Sequence, residues 1–138
     1  FPTNMVVYDT ETIGFITYFE KTTDSKVKDC FYEGDLLVVV VQPNQLKKIL
    51  AHHGEKIRKV AEQTRKRIRL IEFHPEAEKF VLNLLYPLRP KVTAVDEKVV
   101  IKTADVREKG QVFGREKTNL KRIQGIVKKY FNVELVVE

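Results

Sequence analysis

The chain has 138 residues, of which 43% are hydrophobic and 32% are charged, and its formal net charge is +6; that length allows one ordinary domain or two small ones. Its single cysteine, Cys30, excludes an intrachain disulfide and suits a reducing compartment. The longest aliphatic run, Leu36 to Val41, is too short to cross a bilayer and no signal-peptide pattern is visible, so we expect a cytoplasmic protein with no membrane partner.

The first half of the chain predicts one helix, two strands, two helices and a third strand. Asp9 or Thr10 can cap the first helix, in which Ile13 and Phe19 are spaced to face a core. Gly34 supplies a permissive backbone for the turn between the first two strands. The predicted ranges are a helix over 10–22, strands over 26–32 and 36–41, helices over 45–51 and 55–66, and a strand over 67–73.

The second half predicts the same order of elements. Pro75 stands where proline is favoured, at the first position of a helix. Gly125 lies inside the last helix, at a cost of roughly 1 kcal/mol relative to alanine, which suggests the close approach of a neighbour. The predicted ranges are a helix over 75–85, strands over 91–95 and 98–103, helices over 105–112 and 116–130, and a strand over 133–137.

The two halves also align directly around one loop. When residues 45–60 are shifted by 63 positions onto residues 108–123, apolar residues coincide: Ile49 on Val112, Leu50 on Phe113, Ile57 on Leu120 and Val60 on Ile123. This internal repeat predicts two domains, residues 1–74 and 75–138. Domains of that size bury only roughly 60% of their unfolded surface, so we expect the halves to pack on each other.

The positive charge is concentrated around the repeated loop. Residues 45–73 carry nine basic and three acidic side chains and residues 105–138 carry eight and five, whereas residues 1–44 carry three and seven. This distribution favours an anionic partner such as a nucleic acid. For either basic segment alone, a solvated helix face explains the charge equally well.

The repeated order, with a loop between its fourth and fifth elements, resembles the prokaryotic (type II) KH fold. The tandem resembles the paired KH domains of the archaeal NusA-like transcription factors, from about residue 8 to 138. That family's loop reads I-G-K-G-G or I-G-K-N-G, and the aligned segments here are Leu50-Ala51-His52-His53-Gly54 and Phe113-Gly114-Arg115-Glu116-Lys117. The expected fold class is therefore α+β, with two tandem type II KH domains that each contain a three-stranded sheet and pack closely together.

The resemblance implies a protein that holds single-stranded nascent RNA and tunes elongation or termination by RNA polymerase, with no cofactor or metal. In such a loop the absent side chains let phosphates approach the backbone, and the following helix offers its unpaired N–H groups. The RNA-binding residues expected on this basis lie in the two loops and at basic positions beside them: Lys47, Lys48, Ala51, His52, His53, Gly54, Lys56, Arg58, Gly114, Arg115, Glu116, Lys117 and Lys121.

The loop residues leave alternatives open. Each basic side chain could equally serve solubility, and Glu55 and Glu116 would be favourable at a helix start without any ligand. The pair His52-His53 could contact RNA, form an ordinary polar loop or hold a metal. The metal is the weakest of the three, because His74 and Cys30 complete no zinc pattern.

Two other functions compete with RNA binding. The degenerate loops would suit a KH-fold scaffold that acts mainly through protein contacts with RNA polymerase or a ribonucleoprotein, because a fold alone does not establish a function. A nuclease that uses the histidine pair would need convergent carboxylates, a nucleophile or a complete metal set, and the sequence offers none of these. We therefore expect a protein that is not an enzyme.

Overall fold

The computed structural model describes residues 9–138 and has a mixed α+β fold with two three-stranded sheets. The chain divides into two compact units, and the division falls between Phe73 and His74. Both units follow the order helix, strand, strand, helix, helix, strand, which confirms the order predicted from the sequence. No helix in this described part is both long and apolar enough to cross a membrane.

The first unit builds its sheet in the order β1-β2-β3. Strand β1 pairs antiparallel with β2, and β2 pairs parallel with β3, so the chain must cross over between β2 and β3. The two helices that carry the first loop make this crossover. The elements of the unit are α1 (Thr10–Thr23), β1 (Val27–Glu33), β2 (Leu36–Val41), α2 (Leu46–Ile49), α3 (Ala51–Thr64) and β3 (Arg67–Glu72).

Helix α1 packs on this sheet through aromatic side chains. Asp9 caps it, since its Oδ1 accepts a hydrogen bond from the Thr12 N–H at 2.7 Å. Phe15 and Phe19 are buried one turn apart in a core with residues of β1, β2 and α3. The prediction that Ile13 faces the core is wrong: it is 53% exposed, because two positions along a helix turn a side chain by about 200° from Phe15.

The second unit repeats the arrangement with the order β4-β5-β6, antiparallel and then parallel. Asp105 caps its second helix, and Glu108 reaches back over the helix start. Asp105 Oδ1 accepts from the Glu108 N–H at 2.8 Å, and Glu108 Oε1 accepts from the Ala104 N–H at 2.9 Å. The elements are α4 (Ala77–Leu85), β4 (Lys91–Val95), β5 (Lys98–Lys102), α5 (Val106–Phe113), a 3-10 turn (Arg115–Lys117), α6 (Thr118–Lys128) and β6 (Glu134–Val137).

Two details of the second unit differ from the predictions. Helix α4 begins at Ala77 rather than at Pro75, because Glu76 before it has an extended backbone (φ −92°, ψ 121°) and leaves Pro75 outside the helix. Gly125 in α6 is exposed, and a Cβ added there would meet no atom within 4 Å. The expected close approach at Gly125 is therefore wrong.

Candidate nucleic-acid interface

Both units place a left-handed turn between their two central helices. The first loop is residues 51–54, where His52, His53 and Gly54 have φ values of 55°, 59° and 73°, so regular helical backbone in α3 resumes only after Gly54. The second loop is residues 114–117, where Glu116 and Lys117 have φ values of 54° and 62°. At the offset of 63, the left-handed residues of the second loop coincide with His53 and Gly54. The two loops therefore have left-handed backbone at aligned positions, although their residues there differ.

This backbone explains why each loop keeps a different glycine. Gly114 has φ 70° and ψ 177°, a region that essentially only glycine occupies. The aligned Ala51 has helical torsions, so a methyl group is tolerated there. Gly54 (φ 73°, ψ 25°) and the aligned Lys117 (φ 62°, ψ 19°) are both left-handed. A side chain can adopt that region at a cost of roughly 1–2 kcal/mol.

The second loop is held by hydrogen bonds from the start of α6. Thr118 Oγ1 donates to the carbonyl of Arg115 at 2.7 Å, and Asn119 Nδ2 donates to the carbonyl of Val112 at 3.0 Å. The Lys117 N–H donates to the Gly114 carbonyl at 3.2 Å. The sequence analysis missed Asn119, because its partners lie in the preceding helix and no local pattern indicates them.

Helix α6 begins at Thr118, two residues later than predicted, since Glu116 and Lys117 are left-handed and cannot continue a helix. Glu116 is consequently an exposed loop residue and not the favourable first-turn carboxylate that was one interpretation of it. Glu55, by contrast, follows directly on Gly54 where α3 becomes regular. Only Glu55 therefore fits the helix-start interpretation.

The predicted site residues of each unit differ in how far they reach solvent. In the first unit, Gly54 is buried, and Lys48 donates from Nζ to the carbonyl of Asp24 at 3.0 Å, which ties it to the end of α1. Ala51 and Lys56 are partly buried. The exposed members are Lys47, Lys48, His52, His53 and Arg58, of which Lys48 is held by that bond. The first loop therefore presents its histidine pair to solvent.

In the second unit the exposed members are Arg115, Glu116, Lys117 and Lys121, and Gly114 is partly buried. The Lys117 ammonium lies 5.8 Å from the centre of the Phe113 ring, within the range of a cation–π contact. The second loop thus carries two cations beside one carboxylate on an exposed turn. The first loop carries two imidazole side chains instead.

Residues that could support other chemistry lie outside these loops. Among residues 9–138, no group of three or more His, Cys, Asp or Glu side chains is arranged to hold a metal ion. Cys30 is 4% exposed. The pKa of its thiol is raised to about 11, mainly by burial and also by the nearby Asp29 carboxylate, while Lys66 opposes the shift. Cys30 is therefore a core residue.

The geometry suits the binding of an anion more than a reaction. A left-handed turn that leads into a helix places backbone N–H groups and the positive end of the helix dipole at one point. Around the second loop, Arg115 and Lys117 add positive charge at that point. Both loops can therefore approach a phosphate chain with backbone and side-chain donors together.

Known proteins resemble this chain in fold and in sequence. No protein-family model matches the chain. A crystal structure of the protein APE1850 has a TM-score of 0.74 to this structure, with 23% sequence identity, and the match covers 95% of this chain and 100% of that one. At that identity the likeness is one of fold.

Curated relatives from archaea share the name "Probable transcription termination protein NusA". The Thermoplasma acidophilum protein is 26% identical over 140 residues, covering 96% of this chain and 95% of its own length. The Halobacterium salinarum protein is 26% identical over 122 residues, with 86% and 88% covered. The Methanocaldococcus jannaschii protein is 25% identical over 129 residues, with 90% and 70% covered. The resemblance predicted from the sequence is confirmed, and the chain is a NusA-like protein of the archaeal type.

Proposed function

We propose that this protein is a transcription factor that binds single-stranded nascent RNA through two type II KH domains, residues 1–74 and 75–138, without enzymatic activity. The observation that supports this most directly is the pair of aligned left-handed turns, each on the crossover between two parallel strands. KH modules clamp the backbone of about four nucleotides with a loop at that place. The names of the relatives support a role in transcription termination.

The two loops would grip RNA in different ways. In the second loop, Arg115 and Lys117 contribute cations where a phosphate would approach, and Gly114 keeps the turn free of a side chain. In the first loop, the exposed His52 and His53 can donate to phosphate or stack on a base. We propose that RNA is bound mainly by charge at the second loop and by imidazole contacts at the first.

Contact with RNA polymerase belongs to the same proposal and rests on the relatives' names. A protein that acts on termination must act on a transcribing complex, where nascent RNA and the polymerase are close together. We propose the cytoplasm as its location for the same reason. The experiments below test the contact with RNA, because the structure describes both of the loops that would make it.

A titration with short single-stranded RNA tests the proposal first. Fluorescence anisotropy of a labelled oligonucleotide, measured at several salt concentrations, should show binding that weakens with salt. The log–log slope should be about −0.7 for each phosphate that the protein neutralises. Absence of binding at low salt would refute the RNA-binding function and favour a scaffold that acts through protein contacts. Incubation of the RNA with and without divalent metal should leave it intact.

Charge reversal in each loop then assigns the contacts. The double variants His52→Asp with His53→Asp, and Arg115→Asp with Lys117→Asp, place negative charge on exposed turns and should weaken RNA binding without unfolding the protein. The matched control for the second pair is Lys98→Glu with Lys102→Glu, which reverses as many charges on exposed positions of β5. If the control weakens binding as much as the loop pair does, the contact is general electrostatics and the loop assignment is wrong.

A further inference from the structure

We infer that Asn119 is the positioning residue of the second loop, and that its side chain holds the loop in the conformation that receives RNA. The inference deepens the proposed function and rests on it, because the role has meaning only if this loop binds RNA. Asn119 is outside the set of site residues that the sequence indicates, and it does not itself present a cation to a phosphate.

Asn119 makes a set of hydrogen bonds across the second loop. Its Nδ2 donates to the carbonyls of Val112 at 3.0 Å and of Gln111 at 3.4 Å, both in the last turn of α5. Its Oδ1 accepts from Arg122 Nη2 at 3.1 Å. One side chain therefore ties the first turn of α6 to the end of α5, and the loop lies between these two anchored points. The bonds also satisfy helix-end carbonyls that have no partner within α5.

Asn119 also packs closely against Gly114, the glycine of the loop. A Cβ placed on Gly114 would lie 2.6 Å from Asn119 Cβ and 3.0 Å from its backbone nitrogen. Asn119 therefore packs where a side chain at Gly114 would otherwise be. Gly114 makes this contact with φ 70° and ψ 177°. Together with the bonds to α5, this contact fixes the base of the loop from two sides.

The first loop has no equivalent of Asn119. The residue aligned with Asn119 is Lys56, and among the described residues it makes no hydrogen bond across its loop. Both loops hold side-chain-bearing residues in left-handed backbone, including His52 and His53 in the first. The loops differ at the closing position, where the first has Gly54, which takes up that backbone without strain. The second loop has Lys117 at that position, whose left-handed backbone is costly for a side chain. Asn119 supplies the constraint that keeps this strained turn in place.

The test uses the full chain and the variant Asn119→Ala, which removes the amide without changing the charge. We expect RNA affinity to fall about three- to ten-fold, the effect of losing a typical hydrogen bond. The log–log salt slope should stay the same, because no cation is lost, whereas Arg115→Ala should flatten it by about 0.7. In the free protein, the backbone N–H groups of residues 115–118 should exchange with deuterium faster relative to the rest of the chain.

The controls separate positioning from general stability. Lys56→Ala at the aligned position removes no loop hydrogen bond, so amide exchange in the first loop should not change. Asn119→Ser, with a hydroxyl too short to reach both carbonyls, should give the same result as alanine and serves if the alanine variant does not fold. Unchanged loop exchange and RNA affinity within two-fold in a folded variant would overturn the inference. If the unmodified protein binds no RNA, the proposed function and the inference both fail.

Discussion

Substitution of Gly114 by alanine tests the geometry of the second loop most sharply. The torsions at this residue, φ 70° and ψ 177°, cost a side-chain-bearing residue about 1–3 kcal/mol. The new methyl group would also overlap Asn119, with its Cβ 2.6 Å away and its backbone nitrogen 3.0 Å away. Overpacking of this kind costs about 1–3 kcal/mol. The lower chain entropy of unfolded alanine returns about 0.4–1 kcal/mol, so we expect a net loss of about 1–6 kcal/mol.

Urea denaturation followed by far-UV circular dichroism measures this loss as a lower midpoint at unchanged slope. The matched control is Ala51→Gly, the reverse exchange at the aligned position of the first loop. Ala51 has helical torsions, so glycine there should cost only about 0.5–1 kcal/mol. If Gly114→Ala costs no more than Ala51→Gly, the left-handed geometry of Gly114 and its contact with Asn119 are not what the second loop depends on.

Three further predictions follow from single residues. Lys117→Gly should raise the free energy of unfolding by about 1 kcal/mol, because glycine adopts the left-handed backbone without strain, and it should flatten the salt slope of RNA binding; a loss of stability in urea denaturation would contradict this. Gly125→Ala should stabilise the protein by roughly 1 kcal/mol, since a methyl group there meets open space in a helix; an unchanged midpoint would show that the site is constrained. The Cys30 thiol, whose pKa is raised to about 11 from 9.0, should react with iodoacetamide about 100-fold more slowly than an unfolded thiol at pH 8. Because the unfolded state releases this proton first, the same shift should lower stability as pH rises above about 9, and pH-independent denaturation in that range would argue against it.

The element order was predictable because hydrophobic periodicity is strong in this chain. The run Leu36 to Val41 was predicted as a strand and forms β2 with those bounds. The prediction of burial failed where a residue fitted an apolar stripe but the helix buried a different face. Ile13 fits an apolar stripe, but burial of the two larger rings at Phe15 and Phe19 determines which face of α1 points inward.

The loop geometry was predictable only in outline. A turn between two helices follows from Gly54 and Gly114, but the left-handed backbone beside them does not. Histidine adopts that region more often than most residues, which leaves His53 ambiguous, and Glu116 and Lys117 are of types that rarely adopt it. The late start of α6 follows from that unpredicted backbone. The contact of Asn119 with the end of α5 depends on how the turn folds back. The sequence therefore does not predict it.

The parallel pairing of β2 with β3, and of β5 with β6, has a consequence for how this protein can diverge. Parallel neighbours need a connection that returns the chain to the same end of the sheet, and each turn described above sits in the middle of that return path. Selection for folding alone would preserve such a turn, whatever residues occupy it. The architecture thus constrains the shape of each turn more than its sequence, and it leaves a few solvent-facing positions where residues can change without disturbing the sheet.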